Sequence, residues 1–396
     1  MASSLDPVSD LLTKQGFVII DGGLGTDLES LGHDLSIGGL WSAHFLDKSP
    51  EVIAQVHQRF FDAGADVAIT STYQASFDGF EKEGISKDKA IELMKKSIKI
   101  AVGARNSWWN NYDQSKGGLR YKPLIAASIG SYGATVNQEY VGNFKSPNHD
   151  DVLMTSKELY DWHLERLEVI GNCPEVDILA IETIPSSVEA EALVECLNYL
   201  SKKYNSHFPK AWISFSCKDM FHINDGTLLS SVLNEIHSKD TLKTIIGYGV
   251  NCTSFNYILQ NLNETNHNKE DSHVADDDEQ KNKKTKLNDD DKTEGLLTIL
   301  SKHRHGRQVI VYPNSGESYN ENERTWHDDD TTNDTSTSTS SSTSTGKFID
   351  KFAHDVLHWR QYLNDHNASG QLCVGGCCRI SPNDITIIRK ALEKNI

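Results

Sequence analysis

The sequence predicts an α/β chain folded as a single (β/α)8 TIM barrel. Two observations carry the prediction. Eight short β-rich apolar runs alternate with segments of helical period, and no strand follows another directly. Polar residues also fall at or just past the C-terminal ends of those runs: Asp21, Thr70, Glu182, Cys252, Asn314 and Cys377. In a closed barrel that end carries the active site. An open doubly wound sheet meets the first observation as well, but eight regular units fit a closed barrel better.

The strands are expected over residues 17–21, 65–70, 123–129, 176–181, 211–216, 244–250, 309–312 and 372–374. Ser49-Pro50 starts the first strong helix. Ser49 can accept from orphan N–H groups, Pro50 suits the first helical position, and Val52, Ile53, Val56 and Phe60 supply the apolar face. A second helix covers 87–106, with Ile91, Met94, Ile98 and Val102 on one stripe and Trp108-Trp109 read as a buried face beyond it. Further helices are expected over 152–170, 186–203, 226–237, 348–364 and 382–394. The barrel is expected to occupy residues 10–396.

Two segments break this pattern. Residues 263–294 hold 11 acids against 6 bases, and residues 328–346 open with three aspartates and continue as a Ser/Thr tract. Neither can bury enough apolar surface to offset the entropy of ordering, so both are expected to be disordered surface insertions. They contribute −5 and −4 to the formal charge of −17, so most of the acidity belongs to these tracts. Strong negative charge argues against nucleic acid or an anionic membrane as partner. Apolar content of 37%, seven cysteines without a repeating spacing and no apolar run near the roughly 20 residues of a membrane helix indicate a soluble, cytoplasmic protein. The N-terminus lacks the basic start and apolar run of a secretory signal.

The chemistry concentrates in Asn251-Cys252 and in Gly375-Gly376-Cys377-Cys378. Adjacent cysteines rarely pair with each other, because the ring is strained. Three thiols at the ends of two strands can instead point at one ion. Zinc takes thiolates tetrahedrally, and three protein ligands leave a fourth position open. The bland alternative is three buried cysteines acting as small hydrophobes. Cys173, Cys196, Cys217 and Cys373 read as core or surface fillers, and His303-Arg304-His305 as solvated surface.

Asp21-Gly22-Gly23-Leu24-Gly25-Thr26, Thr70-Ser71-Thr72-Tyr73-Gln74-Ala75-Ser76, Ile181-Glu182-Thr183, Gly249-Val250-Asn251-Cys252 and Gly375-Gly376-Cys377-Cys378 together resemble the homocysteine S-methyltransferase family. Gly130-Ser131-Tyr132-Gly133-Ala134, continuing through Asn137-Gln138-Glu139-Tyr140-Val141-Gly142, is similar to the branch using S-methylmethionine or S-adenosylmethionine. The resemblance spans about residues 17 to 394 and leaves the two polar segments outside it. It implies a (β/α)8 barrel making methionine, with one zinc ion (Zn2+) per chain held by Cys252, Cys377 and Cys378. It also implies small-molecule partners, homocysteine and a sulfonium methyl donor. Glu182 would bind the homocysteine ammonium, with Asp21 beside it. Thr70 is a candidate for the substrate carboxylate, and Asn251 for orienting Cys252 or bonding to substrate.

The reaction needs such a site. A sulfonium is an activated donor whose leaving group departs as a neutral thioether. The acceptor thiol, with a pKa near ~8.5, must become a thiolate, and metal coordination removes its proton. Three cysteine thiolates plus the substrate thiolate would keep that sulfur electron-rich and attract a cationic donor. Tyr132 and Tyr140 could hold a sulfonium by cation–π attraction, although loop tyrosines also serve as packing residues. Two other readings stay open: a barrel metallohydrolase, which would lean on His and carboxylate ligands, and a structural zinc scaffold, which would need a fourth protein ligand.

Overall fold

Each expected apolar run becomes a parallel strand in the computed structural model, which describes residues 6–35, 45–117, 120–136, 138–147, 152–205, 207–258, 295–315, 317–320, 325–328, 344–366, 368 and 370–394. The barrel strands are β1 (Val18–Ile19), β2 (Val67–Ile69), β3 (Leu124–Gly130), β4 (Ile178–Ile184), β5 (Ala211–Phe215), β6 (Ile245–Asn251) and β7 (Gln308–Tyr312). A hairpin of β8 (Glu317–Asn320) and β9 (Thr325–Asp328) precedes the last barrel strand, β10 (Leu372–Val374). The eight-stranded sheet runs β1-β10-β7-β6-β5-β4-β3-β2. Its two ends meet: Ile20 bridges Val67 in parallel, and Asp21 N donates to Val67 O at 3.0 Å. The sheet therefore closes into the expected (β/α)8 barrel.

Alternation along the strands divides the core in two. Val18, Ile20, Val67, Ala126, Ile178, Ala180, Trp212, Ile246, Ile310 and Cys373 fill the interior, while Ile19, Ile129, Leu179, Ile213, Val250 and Val311 face the helices. The interior has a plug that the sequence reading missed. Helix Pro7–Gln15, capped by Asp6, buries Val8, Leu11 and Leu12 in the interior cluster. Gln308 at the start of β7 holds it, with Nε2 donating to Ser9 Oγ at 2.6 Å. The barrel unit thus begins before residue 10.

Helix boundaries follow the caps rather than the apolar stripes. Helix Pro50–Ala63 starts at the expected place, but the Ser49 side chain makes no capping bond; its carbonyl accepts from Val52 N at 3.1 Å. The helix expected from 152 begins at Ser156, behind a capping box of Thr155 and Glu158. Val152 and Leu153 stay half-exposed, with Leu153 in an antiparallel bridge to Lys145. The helix expected from 226 starts at Leu229, because Gly226 turns with φ +93°. Helix Lys87–Asn111 runs past 106; Trp108 is buried there, and Trp109 only partly. Helix Leu296–His303, the β8–β9 hairpin and the start of helix Ser344–Asp365 were not foreseen. Residues 263–294 lie outside the described residues. So does most of 328–346, but Asp328 ends β9 and Ser344 opens a helix.

Candidate active site and metal centre

The Asp-Gly-Gly and Gly-Gly-Cys-Cys loops are built against each other at the C-terminal end of the barrel. Gly376 N donates to Asp21 O at 3.1 Å, Cys377 N to Pro313 O at 2.9 Å, and Gly23 N to Ile380 O at 2.9 Å. A Cβ on Gly375 would sit 2.6 Å from Ile20 O, so only glycine lets β10 pass this close to β1. The result fixes Cys377 and Cys378 beside the tip of β6, where Cys252 follows Asn251.

The three sulfurs of Cys252, Cys377 and Cys378 all lie within 4.8 Å of one another. The sulfurs of Cys252 and Cys377 are in contact, with their Cα atoms 5.7 Å apart. Metal binding at this site requires both in the reduced state. Zinc at about 2.3 Å from each of three thiolates puts the sulfurs about 3.8 Å apart, which this cluster can meet. Among the described residues no fourth His, Cys, Asp or Glu joins the group, so one coordination position stays open. Burial, reinforced by the nearby carboxylate of Glu139, pushes the Cys378 thiol up to about 12. Without a cation that sulfur stays protonated; the donor set fits a thiophilic ion.

Glu182 lies on β4, 7% exposed, where Ser128 Oγ donates to Oε1 and Tyr312 OH donates to Oε2 at 3.2 Å. Burial outweighs those two bonds and raises its pKa to about 7. Asp21 is buried too, and Ile69 N donates to its Oδ2 at 2.9 Å. Burial first, and the Glu182 charge second among the raising causes, push its pKa well above the ordinary carboxylate value. Its Oδ1 has no partner among the described residues, and neither do Gln74 Oε1, Asn314 Oδ1 and Ser315 Oγ. Four buried acceptors left open at strand ends mark a place for a ligand rich in donors.

The other two expected substrate residues spend their hydrogen bonds on the protein. Thr70 Oγ1 lies 2.8 Å from Thr72 Oγ1 and accepts from Ser128 N at 3.1 Å, which ties β2 to β3. Asn251 is fully buried; its Oδ1 accepts from Thr183 N and Ser214 Oγ, both at 2.8 Å, and its Nδ2 donates to Thr183 Oγ1 at 2.7 Å. Thr183 has φ 57° and Cys252 φ 45°, so this amide braces a left-handed turn next to Glu182 while its own successor is another. The Asn251 side chain is thus engaged by Thr183 and Ser214 within the protein.

Several contributors went unnoticed in the sequence: Ser128 and Tyr312 as donors to Glu182, Ser214 beneath Asn251, and Tyr73, whose OH donates to Glu139 Oε2 at 3.2 Å. Ser128 and Ser214 interrupt apolar strands, which is the signal that could have exposed them. Tyr132 packs edge-on against Phe144 and Trp162, as a packing residue does. His305 stacks on His237 at 3.9 Å, so the 303–305 stretch is partnered surface and not merely solvated.

The residue-level picture agrees with comparisons to known proteins. A model of the family described as homocysteine S-methyltransferase matches residues 18–392. Homocysteine S-methyltransferase YbgG of Bacillus subtilis (strain 168) is 32% identical over 383 residues, 96% of this chain and 96% of the relative. Homocysteine S-methyltransferase 2 of Zea mays is 32% identical over 382 residues, 96% of this chain and 91% of the relative. The crystal structure of the homocysteine methyltransferase MmuM from Escherichia coli in its metallated form superposes with a TM-score of 0.65 at 26% identity. It covers 97% of this chain and 99% of its own, and an oxidized form of the same protein matches equally well.

Proposed function

The chain belongs to the homocysteine S-methyltransferase family and is a methyltransferase, and from that premise we propose that it moves a methyl group from S-methylmethionine or S-adenosylmethionine to L-homocysteine, using one zinc ion held by Cys252, Cys377 and Cys378. The observation that carries the proposal is the cluster of three sulfurs with an open fourth position, at the same end of the barrel as the buried carboxylates of Asp21 and Glu182.

When bound, zinc supplies Lewis acidity that makes a thiol at the open position a nucleophile near neutral pH. The chain's own groups do the rest. Glu182, aimed by Ser128 and Tyr312, takes the ammonium of the amino-acid end, and the open Oδ1 of Asp21 offers that ammonium a second acceptor. Asn314 Oδ1 and Ser315 Oγ add polar groups on the β7 side of the same face. Asn251 keeps the Glu182-Thr183 turn and the entry to Cys252 in register. Fixing the acceptor sulfur by its distant amino-acid end makes the displacement effectively intramolecular.

The test is methionine formation from L-homocysteine with each sulfonium, measured with zinc content on reduced wild type and on Cys377→Ala. Loss of both zinc and turnover in the variant supports the proposal. Wild type that holds zinc yet transfers from neither donor would contradict it, and a zinc-free enzyme of full activity would contradict the metal's role.

A further inference from the structure

A second substrate must approach the sulfur cluster from the rim, because Asp21 and Glu182 lie deep and are committed to the first. The loop after β3 supplies the rim. Its segment is anchored by Gln138 N donating to Gly133 O at 2.8 Å and Val141 N donating to Gln138 O at 3.1 Å. Between those anchors stands Glu139, half-buried, with Oε2 held by Tyr73 OH at 3.2 Å. Tyr73 itself is seated on the tip of β3: a Cβ on Gly130 would lie 2.5 Å from Tyr73 O and 2.6 Å from its ring, so the strand passes beneath the tyrosine only because residue 130 is glycine. Gly130 pairs in register with Glu182. Glu139 therefore belongs to the face that carries Glu182 and the cysteines, one layer nearer solvent.

We propose that Glu139, held in place by Tyr73, is the counter-ion for the positive charge of the methyl donor and selects sulfonium donors over neutral methyl carriers. The inference rests on the sulfonium reading given under Proposed function and adds the residue that enforces it. In the transfer, the acceptor thiolate's electron pair forms the new S–CH3 bond. The donor's S–CH3 bond breaks with its electrons going to the donor sulfur, which leaves as a neutral thioether. Positive charge on the donor sulfur is thus greatest before reaction and falls along the reaction path. A fixed carboxylate beside it strengthens donor binding more than it stabilises the transition state. Its removal should therefore raise the donor's KM and leave kcat no lower. The same arithmetic helps turnover, since the neutral product loses the attraction that drew the donor in. Coulomb attraction to a partly buried carboxylate, less the cost of desolvating the pair, makes a net selectivity of about tenfold the expectation.

Glu139→Gln keeps the side chain's shape and an acceptor for Tyr73 while removing the charge. On zinc-loaded enzyme with homocysteine, the donor KM for S-methylmethionine should rise about tenfold, with kcat no lower and the homocysteine KM held. Calorimetric binding separates charge from shape. S-methylmethionine, a sulfonium, should bind Glu139→Gln about tenfold more weakly than wild type, while methionine, its neutral thioether, should bind both within about twofold. Tyr73→Phe should move the same way by a smaller factor. Equal weakening of the sulfonium and the thioether would show a merely structural role and overturn the inference. A sulfonium preference retained in Glu139→Gln would overturn it while leaving the proposed function standing. Wild type that shows no preference for the sulfonium would overturn both.

Discussion

The two ends of the barrel each bury carboxylates and treat them in opposite ways. At the N-terminal end Asp66, 1% exposed, is surrounded by donors: Arg389 Nη1 at 2.9 Å from Oδ1, Arg120 Nε at 3.6 Å, and Ile19 N and Gln15 Nε2 at 3.0 and 2.7 Å from Oδ2. Asp240 likewise accepts from Thr244 N, Ile245 N and Arg307 Nη2. At the C-terminal end Asp21 and Glu182 meet no cation among the described residues; each is pushed up by burial, and Asp21 keeps an open oxygen. Left-handed non-glycine backbone does not separate the ends: Thr183, Cys252 and Arg379 lie at this one, and Asn205, Lys243 and His305 just before β5, β6 and β7 at the other. The difference lies in the carboxylates: those at the N-terminal end are paired with arginines, while Asp21 at the other keeps an oxygen open to a ligand.

Substitutions at the two ends should therefore separate activity from stability. The largest effect is expected at the sulfur cluster. Cys378→Ala should lower methyl transfer by well over about 100-fold, the scale of merely supporting a metal ligand, and should empty the zinc site as measured by elemental analysis. Next comes the opposite end. Asp66→Ala takes from the buried Arg389 and Arg120 the carboxylate they share and should cost about 3 kcal/mol in denaturant unfolding, with kcat per folded molecule preserved.

Glu182→Gln should reverse that pattern. Losing a charge-assisted bond to the ammonium should cost ~1.5–3 kcal/mol, about 10- to 150-fold in kcat/KM for homocysteine. The variant should nevertheless unfold at higher denaturant than wild type near pH 8. Its carboxyl, raised from 4.5 to about 7 in the fold, binds more protons folded than unfolded between those values, so stability falls as pH rises through that window, by a total on the order of 3 kcal/mol. The same titration should appear in catalysis with the opposite sign. The anion is the binding form, so kcat/KM for homocysteine should climb as pH rises toward about 7, a limb that Glu182→Gln removes. The smallest effect is expected at Asn251→Ala: roughly tenfold in homocysteine kcat/KM with zinc retained, because the amide positions the Thr183 turn without touching the ion.

Much of the barrel was legible because parallel strands covered on both faces read as continuous apolar runs, as at Ile178–Ile184. Strand ends were legible for the same reason, and with them Asp21, Glu182 and the three cysteines. What escaped depended on partners far away in sequence. Helix Pro7–Gln15 is short and weakly apolar, and only the barrel mouth it plugs explains its burial. Helix Leu296–His303 directly follows a long polar tract that hid its eight residues. The strand-end position of Asn251 is visible in sequence, but only the fold shows that Thr183 and Ser214 take up its hydrogen bonds. Nor could spacing reveal that Tyr73 and Glu139, 66 positions apart, would meet.

The most direct measurement is X-ray absorption at the zinc edge on reduced, zinc-loaded enzyme, with and without L-homocysteine. A site built by Cys252, Cys377 and Cys378 should show three sulfur neighbours at about 2.3 Å and one lighter atom, becoming four sulfurs when homocysteine binds. A shell dominated by nitrogen or oxygen, or one that stays unchanged with homocysteine present, would contradict the site described for the C-terminal end of this barrel.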